Sequence, residues 1–126
     1  MKERTNTVFD ENDERVVDLF SDLGMPKSLA KTLMYVCQVD ECRSTDVEQA
    51  ADLRQPEVSV AMQQLRKRGW VTKRDQKKKG KGRPVHVYAP TTTLDDVLDA
   101  FEREKMEEIS RIKTNITELR NTVGTL

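Results

Sequence analysis

Gln55, Ser59 and Gln63 recur every four residues, with Val60 beside Ser59 and with Arg54, Arg66 and Lys67 at the ends of the run. Residues four apart share one face of a helix. This spacing therefore lines up amide and hydroxyl groups between terminal cations. Half a turn from the apolar positions, Pro56, Val60, Gln63 and Lys67 form the outward row, flanked by Gln55 and Ser59. Such a mostly uncharged face can hydrogen-bond the edges of bases in a major groove, while Lys and Arg hold phosphates. Gln63 has the geometry to pair bidentately with an adenine. Val60 suits a thymine methyl, or is a scattered exposed apolar residue that needs no partner.

A second cluster follows in Asp75–Pro84, where Lys77, Lys78, Lys79, Lys81 and Arg83 are interleaved with Gly80 and Gly82. Glycine lets such a loop turn and approach a duplex closely. Lys81-Gly82-Arg83-Pro84 resembles the core of an AT-hook, in which arginine lies in a narrow A·T minor groove. The plainer alternative is a solubilising hairpin tip.

Other chemistry finds little support. Cys37 and Cys42, with Asp40, Glu41 and His86, are the only candidates for a soft-metal site. Cys-x4-Cys is not a usual zinc spacing. Cys37 falls on an apolar helix face and reads as core, Cys42 falls in a loop, and His86 alternates with valines as a strand residue. No metal and no cofactor is expected. There is one histidine, no phosphate-binding glycine loop and no G-x-S-x-G. Asp95 with Asp96, and Glu107 with Glu108, are adjacent on a helix and do not face each other. An enzyme is not expected.

The elements that must position these residues follow from periodicity. Residues 1–12 are polar and read as a flexible N-terminus. Val16, Leu19, Phe20 and Leu23 mark a helix from Asp13 to Leu23, stopped at Gly24. Leu29, Leu33, Val36 and Cys37 mark a second, entered at Pro26 and reaching about Gln38. Thr45-Asp46-Val47-Glu48 reads as a capping box opening a short third helix, with Val47, Ala50, Ala51 and Leu53 inward. Gln55-Pro56 opens a fourth, with Val58, Ala61, Met62 and Leu65 inward and Gly69 ending it. Trp70–Arg74 and Val85–Tyr88 are short strands around the basic loop. Thr93-Leu94-Asp95-Asp96 caps a long helix to about Val123. The fold class is mainly α with a small β-hairpin wing, an α+β winged helix-turn-helix over residues 13–90. Residues 91–126 form the appended C-terminal helix.

In this 126-residue chain 22 basic residues balance 22 acidic ones, yet residues 54–83 alone hold 11 basic against 2 acidic, net +9. Such asymmetry points to a polyanion-binding surface. No apolar run is long enough for a membrane span, and the polar N-terminus lacks a secretory apolar core. No membrane partner and a cytoplasmic location are expected.

The stretch Leu53-Arg54-Gln55-Pro56-Glu57-Val58-Ser59-Val60-Ala61-Met62-Gln63-Gln64-Leu65-Arg66-Lys67-Arg68-Gly69-Trp70-Val71 resembles the recognition-helix signature of ArsR-, MarR- and TrmB-type regulators. Gly82-Arg83-Pro84-Val85-His86-Val87-Tyr88 resembles the second wing strand of archaeal members. Leu23-Gly24-Met25-Pro26-Lys27-Ser28-Leu29-Ala30 resembles the opening of TrmB-like proteins. The resemblance implies a dimeric transcriptional regulator with Gln55, Ser59, Val60 and Gln63 facing bases. Lys67 and the wing cations, with Arg54 and Arg66, would face the backbone. The position of Val60 often carries Arg or His in relatives. No TrmB-like sugar-binding domain is expected after residue 90.

Dimerisation has an independent signal. Ile109, Ile112, Ile116, Leu119, Val123 and Leu126 step by 3, 4, 3, 4, 3 residues, a heptad seam among charges. Leu94, Leu98 and Phe101 form an upstream stripe, and the eleven-residue step from Leu98 to Ile109 reads as a stutter. Leu98, Phe101, Ile109, Ile112, Ile116, Leu119 and Val123 are the expected homodimer contacts; the alternative is a helix folded back on its own domain. The expected function is a homodimeric regulator reading a pseudo-palindromic double-stranded operator. A winged-helix protein-interaction subunit and a non-specific architectural nucleic-acid binder are the alternatives. Any effector is unspecified.

Overall fold

The computed structural model describes residues 9–76 and 85–126. They form α1 (Glu11–Asp22), α2 (Lys27–Val36), α3 (Ser44–Ala51), α4 (Gln55–Lys67), β1 (Val71–Gln76), β2 (Val85–Pro90) and α5 (Leu94–Gly124). The chain divides into two compact units, one ending at Thr93 and the other being Leu94–Leu126.

In the first unit α2 is the hub, touching α1, α3, α4 and β2. It is suited to this by Leu29, Ala30, Leu33, Met34 and Val36, all buried. The fully buried Thr32 is accommodated because its hydroxyl donates to the Ser28 carbonyl at 2.8 Å, which satisfies a polar group that burial would otherwise penalise. Met62 and Leu65 from α4, and Val47 from α3, complete the centre.

α1 begins at Glu11 rather than Asp13, because Asp10 caps it. The Asp10 carboxylate accepts the Asp13 N–H at 2.8 Å, and the Asp13 carboxylate accepts the Asp10 N–H at 3.1 Å. Both satisfy donors that would otherwise be orphaned at a helix start, and the acids suit the positive end of the helix dipole. The buried stripe of α1 is Asp13, Val17 and Phe20. The expected one held only at Phe20: Leu19 and Leu23 are exposed and Val16 is half-buried.

The third helix starts at Ser44, one residue before the expected box. The Arg43 N–H donates to the Asp46 carboxylate at 2.9 Å. The turn from α3 to α4 passes through Asp52 at φ 57°, a left-handed conformation that Asp tolerates better than most residues. α4 starts with Pro56 in its first turn, where the missing N–H costs nothing, and its last turn carries Arg66 and Lys67 near the negative dipole end. Gly69, at φ 82°, reverses the chain into the hairpin. A Cβ there would meet no atom within 4 Å, so the glycine serves backbone conformation rather than space.

β1 and β2 pair antiparallel, with Val71 opposite Pro90, Lys73 opposite Tyr88 and Asp75 opposite His86. Both strands are longer than their expected bounds, so Asp75 and Gln76 belong to β1 and not to the loop. Thr91 closes the base: its N–H donates to the Trp70 carbonyl at 2.9 Å and its hydroxyl to the Gly69 carbonyl at 2.5 Å. On the other side of β2, Cys42 and Tyr88 exchange backbone hydrogen bonds of 2.9 and 2.7 Å as an isolated bridge. The segment read as a plain loop thus supplies a third strand position to the wing.

α5 is one continuous helix of 31 residues, roughly 46 Å at about 1.5 Å per residue. Val97 and Phe101 are buried, but beyond Phe101 no residue is, and only Lys105 and Glu108 are half-buried.

Candidate nucleic-acid interface

α4 sorts its side chains as its sequence period requires. Val58, Ala61, Met62 and Leu65 are buried, and Gln55, Pro56, Ser59, Val60, Gln63, Arg66 and Lys67 are exposed. Arg54, at the N-cap, is exposed as well; its backbone N–H donates to the Glu57 carboxylate at 2.9 Å. Glu57 thereby serves the helix start while the outer row stays free of anionic groups. A helix with its inner face packed into the core and an amide- and hydroxyl-bearing outer face can enter a groove without losing its own support.

The basic segment is less uniformly available than its charge count implies. The Arg68 guanidinium lies 4.9 Å from the centre of the Trp70 ring, at the C-terminal end of α4. Arg74 forms an ion pair with Glu41 at 2.5 Å. His86 Nδ1 and an Asp75 carboxylate oxygen are 2.7 Å apart across the hairpin. Lys73 is exposed on β1. It is a candidate backbone contact missing from the expected set, whose only signal in the sequence is its charge within the net-basic run of residues 54–83. The wing residues Lys77, Lys78, Lys79, Lys81 and Arg83 lie outside the described residues.

The two cysteines exchange the expected roles. Cys42 is buried and Cys37 is half-buried at the end of α2. Burial pushes the Cys37 thiol up to about 11. Burial, then the negative charges of Asp46 and Glu41, push the Cys42 thiol up to about 12. Both stay protonated at neutral pH, and thiolate is the form that metals and electrophiles require. Among the described residues no group of three or more His, Cys, Asp or Glu is arranged to hold a metal ion. No helix among them is long and apolar enough to cross a membrane.

On α5, Ile109, Ile112, Ile116, Leu119 and Val123 are 45 to 63% exposed, and Leu98 is also exposed. Phe101 is buried within the single chain, with the Lys105 ammonium 5.3 Å from its ring centre. The step from Leu98 to Ile109 is not a discontinuity. Glu102 and Lys105 fill it at intervals of 4, 3 and 4 residues, so the heptad runs from Leu98 to Leu126 with two polar positions. Lys105 is tied to Glu108 at 3.0 Å.

No family model and no curated protein matches the sequence. Solved structures do. One, described as a "Possible transcriptional regulator from Methanosarcina mazei Go1", aligns over 83% of this chain and 86% of its own, with 13% identity and a TM-score of 0.63. TrmBL2, described as an archaeal chromatin protein with a novel mode of DNA binding, aligns over 85% of this chain and 41% of its own, with 16% identity and a TM-score of 0.55. The multiple antibiotic resistance repressor MarR aligns over 83% of this chain and 75% of its own, with 14% identity and a TM-score of 0.50. The helix-turn-helix, the hairpin and the long C-terminal helix of this chain are those of the winged-helix fold found in transcriptional regulators.

Proposed function

We propose that this chain is a cytoplasmic, sequence-specific double-stranded-DNA-binding transcriptional regulator that acts as a homodimer. The observation that carries the reading is α4. Its inner face is buried, and its outer face presents Gln55, Ser59, Val60 and Gln63 between Arg54 and the Arg66–Lys67 pair. Hydrogen-bonding side chains on an exposed helix read base edges, and cations at its margins and on the wing fix its register on phosphates. The exposed heptad on α5 supports pairing with a second copy, and a two-fold dimer matches a pseudo-palindromic operator.

Selection of bound sequences from a random duplex pool, followed by titration of the selected and a random duplex at several salt concentrations, tests the reading. The expected result is an enriched, two-fold-related sequence bound at least 10³-fold more tightly than random DNA. A second reading, an architectural protein that coats DNA, draws on the likeness to TrmBL2 and on the net +9 of residues 54–83. It predicts near-equal affinity for both duplexes with a steep salt dependence. Binding to neither duplex would leave protein recognition as the use of the α4 face.

A further inference from the structure

Val60 breaks the local rules of its helix. It is 53% exposed in the middle of α4, where every other apolar residue after Pro56 is buried. A β-branched residue loses χ1 freedom in a helix and is a poorer helix former than alanine. Its methyl groups are not buried in the single chain to offset that. Among the described residues of the unit ending at Thr93, the other exposed large apolar side chains are Leu19 and Leu23, on and just after α1. The exposed neighbours of Val60 one turn away are Pro56, Glu57, Gln63 and Gln64. From Gln55 to Leu65 there is no cation, and the one anion, Glu57, accepts from the Arg54 N–H. Guanine is most often recognised in the major groove by a bidentate Arg or Lys, and this stretch of the helix has neither.

Resting on the DNA-reading function above, we infer that the α4 face selects A·T pairs, with Val60 against a thymine C5-methyl group and Gln63 on the edge of a neighbouring adenine. Only thymine presents a methyl group in the major groove, whereas cytosine offers an amino donor there. Docked on cytosine, Val60 would cover that donor without accepting from it, and covering an unpaired donor is unfavourable. Docked on thymine, two apolar groups leave water together. The half-site core under α4 is therefore A·T-rich, and Val60 is a specificity-determining residue.

The test uses the tightest duplex recovered from the random pool and the same duplex with single thymines replaced by deoxyuridine, which removes only the methyl group. The wild-type chain should lose affinity about fourfold, the equivalent of ~0.8 kcal/mol for one methyl-sized group, at one thymine in each half-site. Val60→Ala, which favours the helix and should fold, should bind the thymine duplex as weakly as wild type binds the duplex carrying deoxyuridine at that thymine in both half-sites, and be insensitive to the replacement. A G·C core in the selected half-sites overturns the inference. So does a flat deoxyuridine scan with the wild-type chain, or a Val60→Ala chain that keeps the same sensitivity. A pool with no enriched sequence overturns the sequence-reading function itself, which separates that failure from this one.

Discussion

α4 and the distal part of α5 both leave apolar side chains in water, but they do so against different backgrounds. α4 is 13 residues with four of them buried, and its single outward apolar side chain after Pro56 stands among polar ones. α5 after Phe101 buries nothing and exposes a continuous seam from Ile109 to Leu126. A helix held by its own domain can present a face to a ligand and remain a helix. Most helical stability in proteins comes from packing of an apolar face, which fits the proposed pairing of this seam with a second copy. One exposed valine points to recognition, and six seam residues point to assembly.

The largest effect is expected at the seam. Ile112→Asp with Ile116→Asp puts four carboxylates into a paired coiled coil, and the dimer should weaken by at least 100-fold, about 3 kcal/mol or more. Light scattering should report monomer, while the melting of the unit ending at Thr93 is unchanged. A dimer of undiminished stability would break the contrast and move the interface, with the exposed Leu19 and Leu23 of α1 the next place to look.

Gln63→Ala should follow, costing about 1–3 kcal/mol on the best duplex and little on random DNA. Equal weakening of both would mean that α4 does not read bases. Lys79→Ala with Lys81→Ala should instead weaken all duplexes alike and lower the salt slope by about 0.9 per lysine per subunit. An unchanged slope would remove the wing tip from the DNA. Loss of Arg83 should hurt A·T-flanked sites most if it enters a narrow minor groove.

The smallest effects belong to the cysteines. Cys42→Ala should destabilise the fold by about 1 kcal/mol, and Cys37→Ala by less, because only Cys42 is buried. Neither change, nor both together, should alter DNA affinity or create or remove a response to zinc. The folded chain holds the Cys42 proton up to about pH 12, above the range in which an unfolded chain releases it. That contribution to stability is whole below the ordinary thiol range. It declines above it at up to ~1.4 kcal/mol per pH unit. Chemical denaturation between pH 8 and 11 should show a shallower decline in Cys42→Ala than in the wild type.

The inner face of α4 was legible because Val58, Ala61, Met62 and Leu65 fit one helical register and no other. The register of α1 is ambiguous in the sequence because the adjacent valines 16 and 17 offer two apolar stripes, and the buried one includes the polar Asp13, which caps the helix start. The tight turn at Asp52 carries no glycine to announce its left-handed backbone. Cys42 looked like loop because its partner, Tyr88, is 46 positions away and the bridge uses backbone atoms alone. Asp75 and Gln76 looked like loop because only Val71 of β1 is buried, which leaves no alternation to read. Local periodicity reports which face is apolar. It does not report pairings made by main chain or by capping carboxylates.

That two-residue bridge has a consequence for how the molecule breathes. β1 has only one buried residue, and a two-stranded hairpin by itself is at best marginally stable in water. Through Cys42 and Tyr88, and through Arg74 on Glu41, it is stitched to the turn that precedes α3. Opening the base of the wing therefore requires opening the entry to the helix-turn-helix as well. In deuterated solvent the amides of Cys42 and Tyr88 should exchange at one common rate with those of the α2 core, as members of a single cooperative unit. A wing stitched in this way tilts with the helix-turn-helix and not against it.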